Sequence, residues 1–328
     1  MSTKNKHIPC LITIFGATGD LSHRKLFPSI FHLYQQDNLD EHIAIIGIGR
    51  RDITNDDFRN QVKSSIQKHV KDTNKIDAFM EHVFYHRHDV SNEESYQELL
   101  EFSNELDSKF KLNGNRLFYL AMAPQFFGVI SDYLKSSGLT DTNGFKRLVI
   151  EKPFGSDLKS AEALNNQIRK SFKEEEIYRI DHYLGKDMVQ NIEVLRFANA
   201  MFEPLWNNKY ISNIQVTSSE ILGVEDRGGY YESSGALKDM VQNHMLQMVA
   251  LLAMEAPISL NSEDIRAEKV KVLKSLRHFQ SEDVKKNFVR GQYGEGYIDG
   301  KQVKAYRNED RVADDSNTPT FVSGKLTI

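Results

Sequence analysis

Cysteine is nearly absent: Cys10 is the only one in 328 residues. One thiol cannot build an internal disulfide framework, so the fold must rest on packed cores, and such usage fits a reducing cytoplasm. No apolar run approaches the ~20 residues that a membrane helix needs. Neither sign of charge dominates: 42 Lys and Arg stand against 46 Asp and Glu, a net charge of −4. There is thus no general cationic field to attract nucleic acid or an anionic membrane. The start, MSTKNKH, lacks the layout of a signal peptide and runs straight into an apolar strand. Internal repeats and low-complexity segments are missing too. What remains is an ordinary globular composition, long enough for roughly two domains with proper cores.

The chain has two styles. Up to about residue 180, short β-rich runs alternate with helical patterns. Strands are expected at 8–15, 43–48, 83–90, 116–123 and 146–152, and helices near 22–36, 54–70, 93–109, 125–136 and 157–172. That alternation predicts βαβ units around a parallel sheet. The charge run KEEE (173–176) is expected to be a solvated loop. Beyond 180 the order changes: a helix after Lys186, an alternating strand-like run ISNIQVTSSE (211–220), a long helix near 230–254, another near 262–279, then a Gly-rich, strand-like tail. This predicts an α+β second domain.

Chemistry-bearing residues sit at the strand ends. GATGDL (16–21) lies between the first strand and its helix. Gly16 and Gly19 form a reduced dinucleotide fingerprint, in which glycine lets backbone approach a pyrophosphate and the helix N-terminus favours its charge. A plain tight turn is the other reading. After the second strand, Arg50 and Arg51 stand where NAD-binding proteins place an acid. Two guanidiniums suit a dianionic 2′-phosphate; exposed surface arginines are the alternative. EKPFG (151–155) ends the fifth strand, where Glu151 and Lys152 either reach a ligand or form a surface ion pair. Pro153 ends the strand or sets a turn, with a cis bond available to it.

The helix at 235–254 carries an apolar stripe of Met240, Val241, Met245, Met248, Val249 and Leu252. Asp239 and Asn243 are one turn apart on a common face. In an α-helix His244 lies about 140° round the axis from Asp239, so these groups flank a surface and do not stack. A catalytic and a structural role for His244 both remain open. His86 and His88 share one face of a strand, as two metal ligands would, but no third ligand is suggested nearby, and no metal is expected. YRIDHYLGK (178–186) gathers an acid, an imidazole, a phenol and an ammonium, and invites pairing of Asp181 with its neighbour His182.

GATGDLSHRKLFPS, EKPFG, IYRIDHYLGK and GGYYESSGALKDMVQNHMLQ, in this order and spacing, resemble landmark segments of the glucose-6-phosphate dehydrogenase family. GQYGEGYIDGKQVKAYRNED and SNTPTFVSGKL resemble its later segments, so the resemblance covers essentially the whole chain. It implies a Rossmann-type dinucleotide-binding domain over 1–180. An α+β substrate and dimerisation domain over 181–328 follows, with a largely antiparallel sheet, incomplete at the C-terminus. It implies oxidation of glucose 6-phosphate to a lactone with hydride transfer to NADP, in a cytoplasmic homodimer that binds neither nucleic acid nor membrane. His244 is then the general base and Asp181 its orienting carboxylate. His182, Tyr183 and Lys186 match phosphate-binding positions. Lys25, Glu151, Lys152, Glu220 and Asp239 match sugar-contacting positions. Gly16, Thr18, Gly19, Arg50, Arg51, Ala123, Pro124 and Lys152 fall at the cofactor site.

Charge supports that division. A sugar phosphate needs a donor-rich cationic pocket, which His182, Tyr183 and Lys186 supply next to an expected helix N-terminus. Asp181 would repel phosphate. In an extended segment neighbours point to opposite sides, which leaves Asp181 for a distant imidazole. Lys238 stands where the family has Arg, and Pro319 where it has Glu. Family members also continue past this chain, with an RTGK segment whose Lys helps bind substrate. A truncated, catalytically impaired NADP-binding relative is therefore the alternative reading, since an amputated sheet would expose apolar residues and an unpaired edge.

Overall fold

The computed structural model describes residues 8–39 and 41–328; the expectation for MSTKNKH lies outside the described residues. The chain divides into two compact units, one ending at Ile180 and one beginning at Asp181.

The first unit is built on six parallel strands: β1 (Cys10–Phe15), β2 (Ile43–Gly49), β3 (Val83–Arg87), β4 (Arg116–Leu120), β5 (Lys146–Ile150) and β6 (Ile177–Arg179). Their order is β3-β2-β1-β4-β5-β6. The strands are near-continuous apolar runs because both faces are covered. Leu11, Phe15, Ala44, Ile46, Ile48, Phe118 and Leu120 bury one face against α4 (Ser95–Phe110), α5 (Phe127–Ser136) and α6 (Leu158–Ile168). Ile14, Ile43 and Ile45 bury the other against α1 (Phe27–Gln35), α2 (Asn55–His69) and α3 (Ile76–Met80). The two-residue period of a strand thus sorts neighbouring side chains into two cores. Helix starts follow local chemistry. Thr54 caps α2 through a reciprocal bond with Asp57, and Asp157 caps α6 through Ser160.

Two elements of this unit were not expected. The three-residue strand β6 is too short to display alternation, and α3 is a five-residue helix between α2 and β3. The KEEE run is a single 3-10 turn, Glu174–Glu176, with Glu174 held by Arg179 at 2.7 Å. The chain leaves β1 toward β2 and β3 on one side, then returns to place β4 on the other. This reversal opens a crevice at the carboxyl ends of β1 and β4.

The second unit contains α7 (Asp187–Phe197), α8 (Gly228–Ala236), α9 (Leu246–Ala253), α10 (Ser262–Ser275) and α11 (Ser281–Asn287). Four short strands follow: β7 (Phe288–Gly291), β8 (Gly296–Ile298), β9 (Lys301–Val303) and β10 (Phe321–Gly324). They form two antiparallel pairs, β10 with β7 and β8 with β9. The core gathers Tyr183, Val189, Met248, Ala250, Leu251, Met254 and Val272. Arg196 of α7 is buried and donates to the Leu251 and Met254 carbonyls at 2.6 and 2.7 Å, which fastens α7 to the end of α9.

Two expectations for this unit are corrected. The run 211–220 forms no strand: it has no ladder partner among the described residues, and most of its side chains are exposed. The long helix near 230–254 is interrupted. Gly235 takes φ 62 and ψ 174, conditions open essentially to glycine alone, and Leu237–Met245 is wound as a π-helix. The wider turn shifts the buried stripe onto Asp239, His244, Met248 and Leu251, while Met240, Val241, Val249 and Leu252 are only half-buried. With hydrogen bonds spanning five residues, Asp239 and His244 come onto one buried side, not 140° apart.

Candidate active site

In the first unit the turn after β1 is held by its backbone. The amides of Gly16 and Ala17 donate to the Ile48 carbonyl at 3.1 and 3.0 Å, and Gly19 N–H and Ser22 Oγ–H both donate to the Gly16 carbonyl at 3.0 Å. Gly16 has φ +84, and a Cβ there would stand 2.4 Å from the Ala121 carbonyl oxygen. Glycine is therefore demanded by the close approach of the ends of β1 and β4. Thr18 lies against Gly49 at the end of β2. Arg50 and Arg51 follow, both exposed, with Tyr85 Oη donating to the Arg51 carbonyl at 2.7 Å. The next residue, Asp52, faces Arg87 at 3.5 Å. Arg50 and Arg87 border a cavity of about 400 Å³ that also includes His88, Asp89 and Asn92.

Other expected positions of this unit fall at strand ends. Ala123 precedes a 3-10 turn, Pro124–Phe126, after β4. Glu151 follows β5 and accepts from Tyr119 Oη at 2.5 Å, a contact without any signature in the sequence. Burial first, and Glu151 second, push the Tyr119 pKa up, so that phenol remains a donor. The Lys152–Pro153 bond is cis. Lys25 is exposed on the π-turn Ser22–Leu26. The glycine-enforced turn after β1 fits the close approach of a dinucleotide phosphate chain.

The second unit places its functional side chains on one short turn and the π-helix. Asp181 is the N-cap of a 3-10 turn, His182–Gly185, and its Oδ1 accepts from the Tyr183 amide at 2.9 Å. The same oxygen is 2.6 Å from His244 Nδ1. His244 is fully buried. Its ring stacks on Tyr183 with centroids 4.2 Å apart and meets His182 edge-on at 4.7 Å. Asp181 keeps extended backbone angles, but the chain winds from His182 onward, and Asp181, His182 and Tyr183 all border the imidazole. Alternation of direction does not separate Asp181 from His182; capping geometry does, by turning the carboxylate inward while His182 stays exposed.

Lys186 ends this turn and caps α7, with Nζ 3.4 Å from the Tyr183 ring centroid. Tyr183 Oη lies 3.5 Å from Glu220 Oε1 and 3.4 Å from Ser218 Oγ. Asp239 is buried. Its Oδ1 accepts from Tyr230 Oη at 2.9 Å, and Arg227 stands 3.9 Å from Oδ2. Tyr230 gives no sign of this in the sequence. Lys269 of α10 interacts electrostatically with Asp181: burial lowers its pKa, while Glu193 and then Asp181 raise it.

Asp181, His182 and His244 are the one group of three metal-type donors among the described residues. Two ligands of a tetrahedral zinc stand about 3.3 Å apart. The 2.6 Å contact is a hydrogen bond, the arrangement of a base and the carboxylate that fixes its tautomer. His86 and His88 join no such group: His88 is packed against Tyr96 at 4.4 Å, and burial pulls its pKa down to about 4.

Comparison with known proteins agrees with both halves. Residues 13–191 match the family model described as glucose-6-phosphate dehydrogenase, NAD binding domain, and residues 193–328 match the corresponding C-terminal domain. The chain is 61% identical to the glucose-6-phosphate 1-dehydrogenase of Bacillus subtilis over 99% of its own length and 66% of that protein's. It is 48% identical to the Leuconostoc mesenteroides protein of the same name, over 97% and 65% respectively. A solved glucose-6-phosphate dehydrogenase in complex with its substrate glucose-6-phosphate superposes with a TM-score of 0.89 at 39% identity, over 98% of this chain and 66% of that one. The chain spans just under two thirds of the length of these relatives.

Proposed function

The chain belongs to the glucose-6-phosphate dehydrogenase family, and from that premise we propose that it oxidises glucose 6-phosphate at C1, with NADP as the preferred partner. The carrying observation is the 2.6 Å hydrogen bond between Asp181 and the fully buried His244. With Nδ1 committed to Asp181, His244 Nε2 takes the proton of the anomeric hydroxyl. The C1–H electron pair leaves with its hydrogen as hydride, and the C1–O bond becomes the lactone carbonyl. The proton rests on the imidazole, where the Asp181 carboxylate stabilises it. A nicotinamide, when bound, supplies the hydride acceptor.

Lys186 and His182, exposed at the mouth of the turn, are the anchors for the sugar phosphate, with Tyr183 beside them. Lys25, Lys152, Glu151, Glu220 and Asp239 are assigned to the sugar hydroxyls. Gly16, Thr18, Gly19, Ala123, Pro124 and Lys152 are assigned to the dinucleotide, and Arg50 and Arg51 to its 2′-phosphate. Arg50 and Arg51 at the end of β2, where NAD-binding proteins place an acid, support NADP over NAD. A homodimeric, cytoplasmic enzyme belongs to the same proposal.

The test is NADPH formation by the purified chain with glucose 6-phosphate, with glucose as control and NAD as competitor. Turnover that requires the phosphate supports the reading. NADP binding without turnover favours an impaired NADP-binding relative, and equal turnover of glucose removes the phosphate site.

A further inference from the structure

Tyr119 of β4 is joined to a residue just beyond β5: its Oη donates to Glu151 Oε1 at 2.5 Å. Strand register explains how they meet. Tyr119 stands opposite Val149, and Glu151 follows two residues later, on the same face of the parallel sheet. Glu151 is therefore the diagonal neighbour of Tyr119, within reach of a long aromatic side chain. The Tyr119 ring is half-buried and packs against the core that contains Ile14 and Phe27. A ring held in a core moves little, so the carboxylate conforms to the phenol. Burial and Glu151 both keep that phenol protonated, a standing donor. The bond engages Oε1, and an ionised carboxylate has further acceptor sites on Oε2. Glu151 is half-buried beside Lys152, at the carboxyl end of β5, where parallel strands border their ligand crevice.

We propose that Tyr119 is a positioning residue that acts through Glu151, fixing its carboxylate in the orientation that accepts a sugar hydroxyl. This rests on reading the chain as a sugar-phosphate dehydrogenase. Tyr119 itself touches no reacting atom in this scheme. An untethered glutamate spreads over many rotamers and must be ordered each time the sugar binds. Tying Oε1 to a rigid phenol moves that ordering into the folding step, so the free protein already holds the binding geometry. Such preorganisation strengthens ground state and transition state alike, and so acts on KM and not on kcat. A purely structural staple between β4 and β5 would act on stability instead.

The full chain is compared with Tyr119→Phe, Glu151→Ala and the double variant. The readouts are steady-state kinetics with glucose 6-phosphate, titration with NADP, and fluorine NMR of fluorotyrosine-labelled protein. Tyr119→Phe keeps the ring and is expected to raise KM about three- to tenfold, with kcat and NADP affinity within about twofold of the parent. Glu151→Ala raises KM at least as much. In the double variant KM matches that of Glu151→Ala within about twofold, because Tyr119 then has nothing left to position. The fluorine signal missing from Tyr119→Phe belongs to Tyr119, and it shifts in Glu151→Ala. A parental KM in Tyr119→Phe reduces the bond to a structural staple and overturns the proposal. So do KM effects that multiply in the double variant, which make Tyr119 a ligand contact in its own right, and so does a loss confined to NADP affinity. If Glu151→Ala does not fold, the KM of Tyr119→Phe decides alone. If the chain turns over no sugar, the function reading fails, while the fluorine signal still tests the pair: an unmoved signal in Glu151→Ala refutes it.

Discussion

At His244, a single oxygen organises the site: Asp181 Oδ1 receives both the imidazole and the Tyr183 amide. His244→Asn is therefore expected to cut kcat by about 10²–10⁴-fold, while calorimetric binding of glucose 6-phosphate stays near the parent value. A large loss of binding with kcat preserved would remove the base assignment. Lys186→Ala acts at the other end. It is expected to weaken glucose 6-phosphate by about 1.5–3 kcal/mol, the range for a charge-assisted bond, and to leave glucose itself unaffected; equal losses for both sugars would refute the role. His88 carries a stability prediction. Its folded pKa, about 4, lies below its unfolded value of 6.5, so the unfolded chain binds the extra proton. Stability should fall as pH drops through that window, by up to about 3 kcal/mol, and be restored as pH rises. Urea melts at pH 7 and pH 4.5 check this, and His88→Phe should flatten the difference. The residues proposed as base, carboxylate and phosphate cations were named by the resemblance of RIDHYLGK and QNH, and the Asp181–His244 contact joins two of them. The contacts of Tyr230 with Asp239 and of Tyr119 with Glu151 were not legible, because a lone tyrosine looks the same whether its hydroxyl is used or idle.

Among the elements, the segment from Gly228 to Ala253 matters most. Gly235 breaks it and the π-helix Leu237–Met245 rotates Asp239 and His244 inward. Gly235→Ala is expected to cost about 1–3 kcal/mol, the range for a side chain forced into such a backbone region. It should also lower kcat by displacing His244; unchanged denaturant midpoints and kcat would show that the break is incidental. A helical pattern read from residue types cannot reveal a π-turn, since the same residues suit either winding. The run 211–220 marks the opposite failure. Its alternation is real, but a strand exists only where another strand bonds to it, and none of the described residues does so. The first unit was far easier to read. Its strands and major helices fall where the alternating apolar runs and helical patterns put them, within a few residues.

On the scale of the whole molecule, the two units carry different parts of the proposed chemistry: phosphate-cradling turns in the first, the base and its partners in the second. Ligand protection should follow that division. In hydrogen-exchange experiments, glucose 6-phosphate is expected to slow exchange most at 181–186 and 237–245, and NADP most at 16–22 and 49–52. Protection by NADP that misses the turn after β1 would overturn the cofactor assignment. No helix among the described residues is long and apolar enough to cross a membrane, so no membrane-spanning helix enters this scheme. The sequence alone determined the α/β character of the first unit, the family to which the landmarks point, and the residue types available for base, anion and cofactor. Those are local properties, written in periodicity and in side-chain chemistry. Tertiary structure alone decided the strand order β3-β2-β1-β4-β5-β6, the inward turn of Asp239 and His244, and the stacking of Tyr183 on His244. Each of these depends on which segments, remote in the chain, pack side by side, and no periodicity within a segment encodes its neighbour.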